Sequence, residues 1–225
     1  MSSLRGGWQR PSLVQPNVAA LTNLSTNHPR TSVPITSETV LSVLVGIALA
    51  AACGFRIFVP LLVMSIASST GHLTLASGFE WIATLPALSA FGVATIVEIL
   101  GYYIPWVDHL LDVIATPTAV VAGTLAMAST IVGLSPFLQW TLAIVAGGGV
   151  AGLIQAFTGI TRVASTATTG GVANPLVSTA EAGSAATISL LAVLVPLLAA
   201  TIVVLVAVFA TRTLYRRLVR INARR

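Results

Sequence analysis

Four charged residues lie within or beside long apolar runs of the sequence, namely Arg56, Glu98, Arg162 and Glu181. A charge at the centre of a membrane-spanning helix costs about 2.5–3.5 kcal/mol on insertion scales, so such residues usually pair or line a polar cavity. In one interpretation, these charges pair with each other and hold helices in register. In the other, they form a polar site that binds an ion, a proton or a small solute. The two interpretations are compatible, because a pair that opens during transport serves both purposes.

A second group of polar residues lies in the segment 105–116, which has the pattern of a short amphipathic helix. Asp108 and Asp112 are four residues apart and therefore lie on adjacent turns. Together with His109 and Glu98 they are weak candidates for divalent-cation ligands. The favoured interpretation is an interfacial helix whose polar face meets water and lipid headgroups.

The sequence offers little for enzymatic chemistry. All eleven basic residues are arginine, which excludes a phosphate-loop lysine and a Schiff-base lysine. The single cysteine, Cys53, lies in an apolar run, and no zinc-protease, serine-hydrolase or Cys–His pattern is present. We therefore expect neither an enzyme nor a bound cofactor.

A glycine-rich run at 147–152 formally matches the dinucleotide-binding pattern, but it lies inside an apolar helical segment and follows no strand. Gly148 and Gly152 are four residues apart, which is typical of a small-residue face that lets two membrane helices approach closely. The run therefore predicts helix packing.

The composition is that of a protein whose solvent is the lipid bilayer. The chain is 56% hydrophobic and only 8% charged, whereas a soluble domain carries about 25% charged residues. The last fourteen residues form a basic tail, typical of a cytoplasmic topology anchor that meets anionic headgroups rather than nucleic acid. Its six arginines are Arg212, Arg216, Arg217, Arg220, Arg224 and Arg225. Residues 1–37 are polar and basic, and they predict a disordered cytoplasmic arm, with a transit peptide or a mis-assigned start as the alternatives.

These residues must be positioned by membrane helices. A spanning helix needs about 20 apolar residues, and the first run, 40–67, would rise about 42 Å as a straight helix, well beyond a hydrocarbon core of about 30 Å. It contains Gly54, Arg56 and Pro60, and the equally long last run contains Pro196, so both are predicted to be kinked or broken. The five apolar runs are 40–67, 83–104, 115–134, 137–160 and 182–210.

Two features leave the topology open. The hydroxyl-rich segment 161–181 is interpreted either as a loop or as a short re-entrant or broken segment packed among the helices. Two basic termini favour an even number of crossings, so a sixth could come from 163–180 or from division of a long run. A short likeness between 58–62 and 194–198, one in each half, suggests a weak inverted repeat. The predicted fold is an all-α polytopic bundle of five to six membrane segments, some broken or re-entrant, over residues 38–211.

Three strings of the sequence together resemble a family of small bacterial-type integral membrane proteins known only as a domain of unknown function. The strings are 54–62, the stretch from Glu98 through 102–108 to Asp112 and 117–123, and 165–171 with Asn174-Pro175 and Glu181. The resemblance covers about residues 38–210. It implies a compact helical membrane fold and no established activity. The positions to which it points are Arg56, Glu98, Asp108, Asp112, Arg162, Asn174 and Glu181.

The leading functional prediction is a small-solute or ion permease or channel-like protein with a polar intramembrane site formed by Arg56, Glu98, Arg162, Asn174 and Glu181. The alternative is a non-transporting scaffold or assembly factor, in which the charges and the glycine face hold helices of this chain or of a partner together. The expected location is the cell (inner) membrane, with both termini cytoplasmic. The expected partners are the bilayer, anionic headgroups at the tail, and a second copy in a homo-oligomer.

Overall fold

A computed structural model of the chain describes residues 36–222, apart from the side chains of residues 105, 106, 108, 109, 214 and 217–222. Within this range the regular structure is helical, with one 3₁₀ helix at Glu80–Ala83 and no strand. The predicted all-α class is therefore confirmed. The helices are α1 Ser37–Cys53, α2 Phe58–Ser69, α3 Leu85–Gly101, α4 Pro105–Thr130, α5 Pro136–Thr169, α6 Asn174–Leu194 and α7 Pro196–Asn222. The predicted arm, 1–37, lies almost entirely outside the described residues.

Local sequence explains where most of these helices begin. The hydroxyl groups of Thr36, Thr84 and Ser135 accept a hydrogen bond from a backbone N–H in the first turn of α1, α3 and α5. Five helices, α3 to α7, carry proline in the first turn, where the backbone nitrogen has no helical hydrogen bond to donate.

Four helices are long and apolar enough to cross a membrane, and three shorter apolar helices accompany them. The four long segments bury only 22–33% of their best spanning windows inside the protein. Large apolar side chains on these segments, such as Val113, Phe137 and Val163, consequently face outward. Because so much apolar surface is left uncovered, the bilayer must supply the surroundings of these helices. The chain is a membrane protein.

Both over-long runs are divided, as predicted. The first is interrupted at residues 54–57 between α1 and α2, and the last at Val195 between α6 and α7. Arg56, in the first break, contacts Ser178 near the start of α6. Around the second break, Val193 and Pro196 share a depression of about 440 Å³ with the first half of α1. The two breaks therefore lie at opposite ends of the α1–α6 pair, an arrangement compatible with an inverted repeat, which stays a hypothesis.

The separate interfacial helix predicted for 105–116 is wrong. These residues form the first turns of α4, which continues through Pro117 to Thr130. A proline inside a membrane helix is tolerated when neighbouring packing compensates for its missing hydrogen bond.

The loop interpretation of 161–181 is wrong, whereas the alternative is correct in that the segment is broken, by a turn between two helices. Residues 161–169 extend α5, and Asn174 begins α6 after a turn at Gly170 and Gly171, whose φ angles of 63° and 88° favour glycine. The hydroxyls of Thr161, Thr168 and Thr169 donate to carbonyl oxygens four residues earlier, which lets a hydroxyl-rich sequence stay helical. The segment therefore supplies no crossing of its own.

Helix α1 lies at the centre of the bundle and packs against α4, α6 and α7. Its inner residues are small, and Ala48, Ala50 and Ala52 are fully buried. Small residues let helix axes approach closely, which is how membrane helices gain packing energy without a hydrophobic effect between them.

Candidate functional site

The four charged residues singled out from the sequence converge in space. Arg56 lies in the break after α1, Glu98 near the end of α3, Arg162 in the last third of α5, and Glu181 in the second turn of α6. Each of the four is between 2% and 6% exposed. We call these residues, together with Tyr102 and Asp112, the charge cluster.

Glu181 is the carboxylate that both arginines share. Arg162 forms a bidentate pair with it, in which Nε donates to Oε1 at 3.1 Å and Nη2 donates to Oε2. Nη2 of Arg56 lies 3.3 Å from the same Oε2. Bidentate arginine–carboxylate bonds are strong and directional, so Glu181 fixes the register of α5 against α6. Through Arg56 it also holds the break between α1 and α2 against α6.

Arg56 is held by further contacts on α6 but is not saturated by them. Nη2 also donates to the carbonyl oxygen of Ser178 at 3.0 Å and to the hydroxyl of the same residue. Its Nε and Nη1 atoms have no hydrogen-bond partner among the described residues. Both are buried, so they remain available as donors inside the bundle.

Glu98 has a different environment. Its Oε1 and Oε2 accept hydrogen bonds from the backbone N–H groups of Ile57 and Phe58, at 2.8 and 3.0 Å. These N–H groups lie at the start of α2, where free donors and the helix dipole favour an anion. Across the described part of the chain, Glu98 forms no ion pair with an arginine.

Tyr102 is a member of the cluster that the sequence reasoning did not identify. The carbon atoms at the centres of the Arg56 and Arg162 guanidinium groups lie 3.7 and 4.2 Å from the centroid of its ring. The ring is only 7% exposed, whereas the neighbouring Tyr103 is 47% exposed and bonds to Thr179. The available signal was its spacing of four residues from Glu98, which places the two side chains on the same side of a helix. Tyr102 is the residue that follows α3, and its backbone is still helical.

Replacement of Tyr102 by leucine is expected to lower the free energy of unfolding by about 1–2 kcal/mol, because two guanidinium groups lose an aromatic face. Replacement by phenylalanine keeps the face and should cost much less. Unfolding in detergent, followed by circular dichroism, measures both, with Tyr103→Leu as the exposed control. Equal losses for the leucine and phenylalanine variants of Tyr102 would contradict the cation–π role.

Asp112 joins the cluster through Arg162, because its Oδ1 lies 3.7 Å from Nη1 of that arginine. The side chains of Asp108 and His109 lie outside the described residues. Among the side chains that are described, no group of three or more potential metal ligands comes together. Asp112 is thus placed where it balances an arginine, and the metal hypothesis gains no support from its position.

Asn174 lies at the start of α6 rather than beside Glu181. Its Nδ2 donates to the hydroxyl of Thr166 at 3.1 Å, across the turn that joins α5 and α6. This contact connects the end of one helix to the beginning of the next.

Gly148 and Gly152 face α4 inside the protein. A Cβ atom on Gly148 would lie 2.7 Å from the hydroxyl oxygen of Thr124, and one on Gly152 would lie 3.0 Å from Cγ2 of Val120. The residues before Gly149 form a π-helical segment, Ala143–Gly148, which widens α5 where it meets α4. The glycine face is therefore used within the chain.

A groove of about 690 Å³ opens between α3 and α4, and we call it the α3–α4 groove. The two helices hardly touch along its length. Glu98 and Tyr102 lie at its edge with the charge cluster, and its walls are mainly apolar. Representative wall residues are Ala94 and Val97 on α3, and Leu111, Ile114 and Thr118 on α4.

Comparison with known proteins places the chain in a family. The family model described as Domain of unknown function (DUF4126) matches residues 43–216, which include every described member of the charge cluster and both walls of the α3–α4 groove. No curated protein and no solved structure matches the chain. The chain therefore belongs to the DUF4126 family of proteins with a domain of unknown function.

Proposed function

We propose that this protein is a small-solute or ion permease whose polar site is the charge cluster at the edge of the α3–α4 groove. In this proposal the chain is not an enzyme. It resides in the cell (inner) membrane with both termini cytoplasmic, where its arginine-rich end meets anionic headgroups.

One observation carries the proposal: Glu98 belongs both to the buried charge cluster and to the wall of a groove of about 690 Å³. A carboxylate in an apolar environment is costly, and in membrane proteins such residues mark substrate or ion pathways. The groove provides room for a solute at that carboxylate.

The interrupted helices add support. Transporters commonly place their binding sites where membrane helices are broken, because free backbone groups at the breaks can bind polar ligands. Here the N–H groups of Ile57, at the end of the break, and of Phe58, at the start of α2, donate to Glu98. The carboxylate and the start of α2 would therefore respond together to a bound solute.

The scaffold alternative has one observation in its favour. Glu181 connects Arg56 and Arg162, and a shared ion pair can serve purely to hold three segments together. The glycine face gives it less support, since Gly148 and Gly152 contact α4 rather than presenting a free surface to a partner.

Cysteine labelling distinguishes the two functions. In a Cys53→Ala background, Ala94→Cys and Thr118→Cys place a thiol on each wall of the groove. Ile96→Cys and Val121→Cys are matched controls on the same helices, since both residues are largely exposed and neither lines the groove. A membrane-impermeant thiol reagent is applied to right-side-out and inside-out membrane vesicles.

A permease that alternates between two open states should label at Ala94→Cys and Thr118→Cys from both sides, at least ten times faster than at the two control positions. Labelling requires water at the thiol, and lipid-facing positions exclude it. Protection of both groove positions from both sides, at the level of the controls, would refute the permease and favour the scaffold.

A further inference from the structure

The distribution of charge in the cluster is uneven. Its described side chains carry two guanidinium groups against three carboxylates, a formal net charge of −1. The arginines are engaged by Glu181 and Asp112, while Glu98 is bound through backbone N–H groups. Glu98 is thus the described carboxylate of the cluster that forms no ion pair with an arginine, and it also lines the groove.

The groove limits what can balance this charge. Besides Glu98, it is lined mainly by apolar side chains such as Val97, Leu111 and Ile114. A bare metal cation needs about six oxygen ligands, and the described side chains of the groove bring no group of three potential metal ligands together. An inorganic anion is disfavoured by the negative charge. A ligand with a cationic centre and an apolar body satisfies both the carboxylate and the walls.

The geometry points to the α3–α4 groove as a binding site for lipophilic cations, with Glu98 as the counter-charge. This inference deepens the proposed permease function by naming its substrate class. The volume of about 690 Å³ lies within the range of about 300–1,000 Å³ that is usual for pockets of drug-sized ligands. A zwitterionic phospholipid offers a similar cationic head, but it also brings a phosphate, which the net negative charge of the cluster disfavours.

Binding of tetraphenylphosphonium to the purified full-length protein in detergent tests the inference. Equilibrium dialysis of the radiolabelled cation measures the Kd, and tetraphenylborate is an anion of nearly the same size and shape. We expect saturable binding of the cation at least tenfold tighter than binding of the anion. Glu98→Gln, which retains an oxygen to accept from α2, should weaken cation binding at least tenfold. Glu80→Gln, at an exposed position outside the groove, should leave it unchanged.

A second pair of variants leaves every charge in place. Ala94→Trp fills the groove, whereas Ile96→Trp adds the same ring to the lipid-facing side of α3. Cation binding should be lost in the first variant and retained in the second. If Glu98→Gln fails to fold, this pair still decides the matter.

Similar Kd values for the cation and the anion, or cation binding that survives both Glu98→Gln and Ala94→Trp, would overturn the inference. A phospholipid that co-purifies with the wild type but not with Ala94→Trp, and that tetraphenylphosphonium does not displace, would overturn it in favour of a lipid site.

The outcome is separable from that of the proposed function. If the cation binds selectively but the groove cysteines are protected from both sides, the cation site is supported and the permease is refuted. Two-sided labelling without cation binding would remove the cation site alone.

Discussion

Glu181→Ala is expected to lower the free energy of unfolding by about 3–5 kcal/mol, which is typical when one partner of a buried ion pair is removed. The physical reason is that two guanidinium groups, those of Arg56 and Arg162, would lose the carboxylate they share while remaining inside the bundle. Their common contact with the Tyr102 ring would not compensate, because both cations lie against the same aromatic side chain.

Glu181→Gln separates the loss of charge from the loss of shape. Its amide oxygen can still accept a hydrogen bond from Arg162. We therefore expect the free energy of unfolding of this variant to lie between that of the wild type and that of Glu181→Ala. Thermal unfolding in a mild detergent, with aggregation followed by size-exclusion chromatography, provides the measurement. Glu38→Ala removes an exposed carboxylate from the first turn of α1 and should leave the unfolding temperature close to that of the wild type. Equal stability of Glu181→Ala and Glu38→Ala would show that the shared ion pair contributes nothing to the fold.

Gly147→Ala is expected to destabilise the protein by about 3 kcal/mol, at the upper end of the usual cost of overpacking. Its new Cβ atom would lie 2.7 Å from the backbone carbonyl oxygen of Gly123 and 2.7 Å from Cβ of Met127. Neither atom is the end of a flexible side chain, so α4 and the π-helical segment of α5 would have to move apart. The alanines buried beside this contact would lose part of their packing as a result.

Gly149→Ala is the matched control for Gly147→Ala, because it lies two residues further along the same helix and no atom outside the adjoining helix backbone lies within 4 Å of the added Cβ. Alanine favours helix over glycine by up to about 1 kcal/mol, so this variant should be neutral or slightly more stable. The difference in unfolding free energy between the two variants is the informative quantity. Comparable stability in both would mean that α4 and α5 do not approach as closely as this contact requires.

Part of this protein follows from local sequence alone. The all-α class, the membrane environment and the two breaks were predictable because they depend on local features. The length of an apolar run determines whether it can span a membrane, and a proline interrupts the helix in which it lies. The buried charges were also identifiable, since the cost of placing a charge in lipid does not depend on knowing its partner. That reasoning selected Arg56, Glu98, Arg162 and Glu181, and the structure brings all four together.

Two local sequence patterns led to wrong predictions, because contacts in the folded protein satisfy the polar side chains on which those predictions relied. The polar face of 105–116 suggested a helix lying in the interface, but these residues join α4 and direct Asp112 at Arg162. The hydroxyls of 161–169 suggested a loop, but they bond to their own helix and leave it intact.

The partners within the site were decided by tertiary structure. Arg56 and Ser178 are 122 residues apart in the chain, and no sequence pattern within either segment specifies the other. The same holds for the hydrogen bonds from the start of α2 to Glu98 and for the position of Tyr102 between two arginines. Burial cost depends on a residue and its immediate neighbours, so the sequence determined which groups need a partner. Pairing depends on how distant helices pack, so the choice of partner, and the groove left between α3 and α4, arose only with the folded bundle.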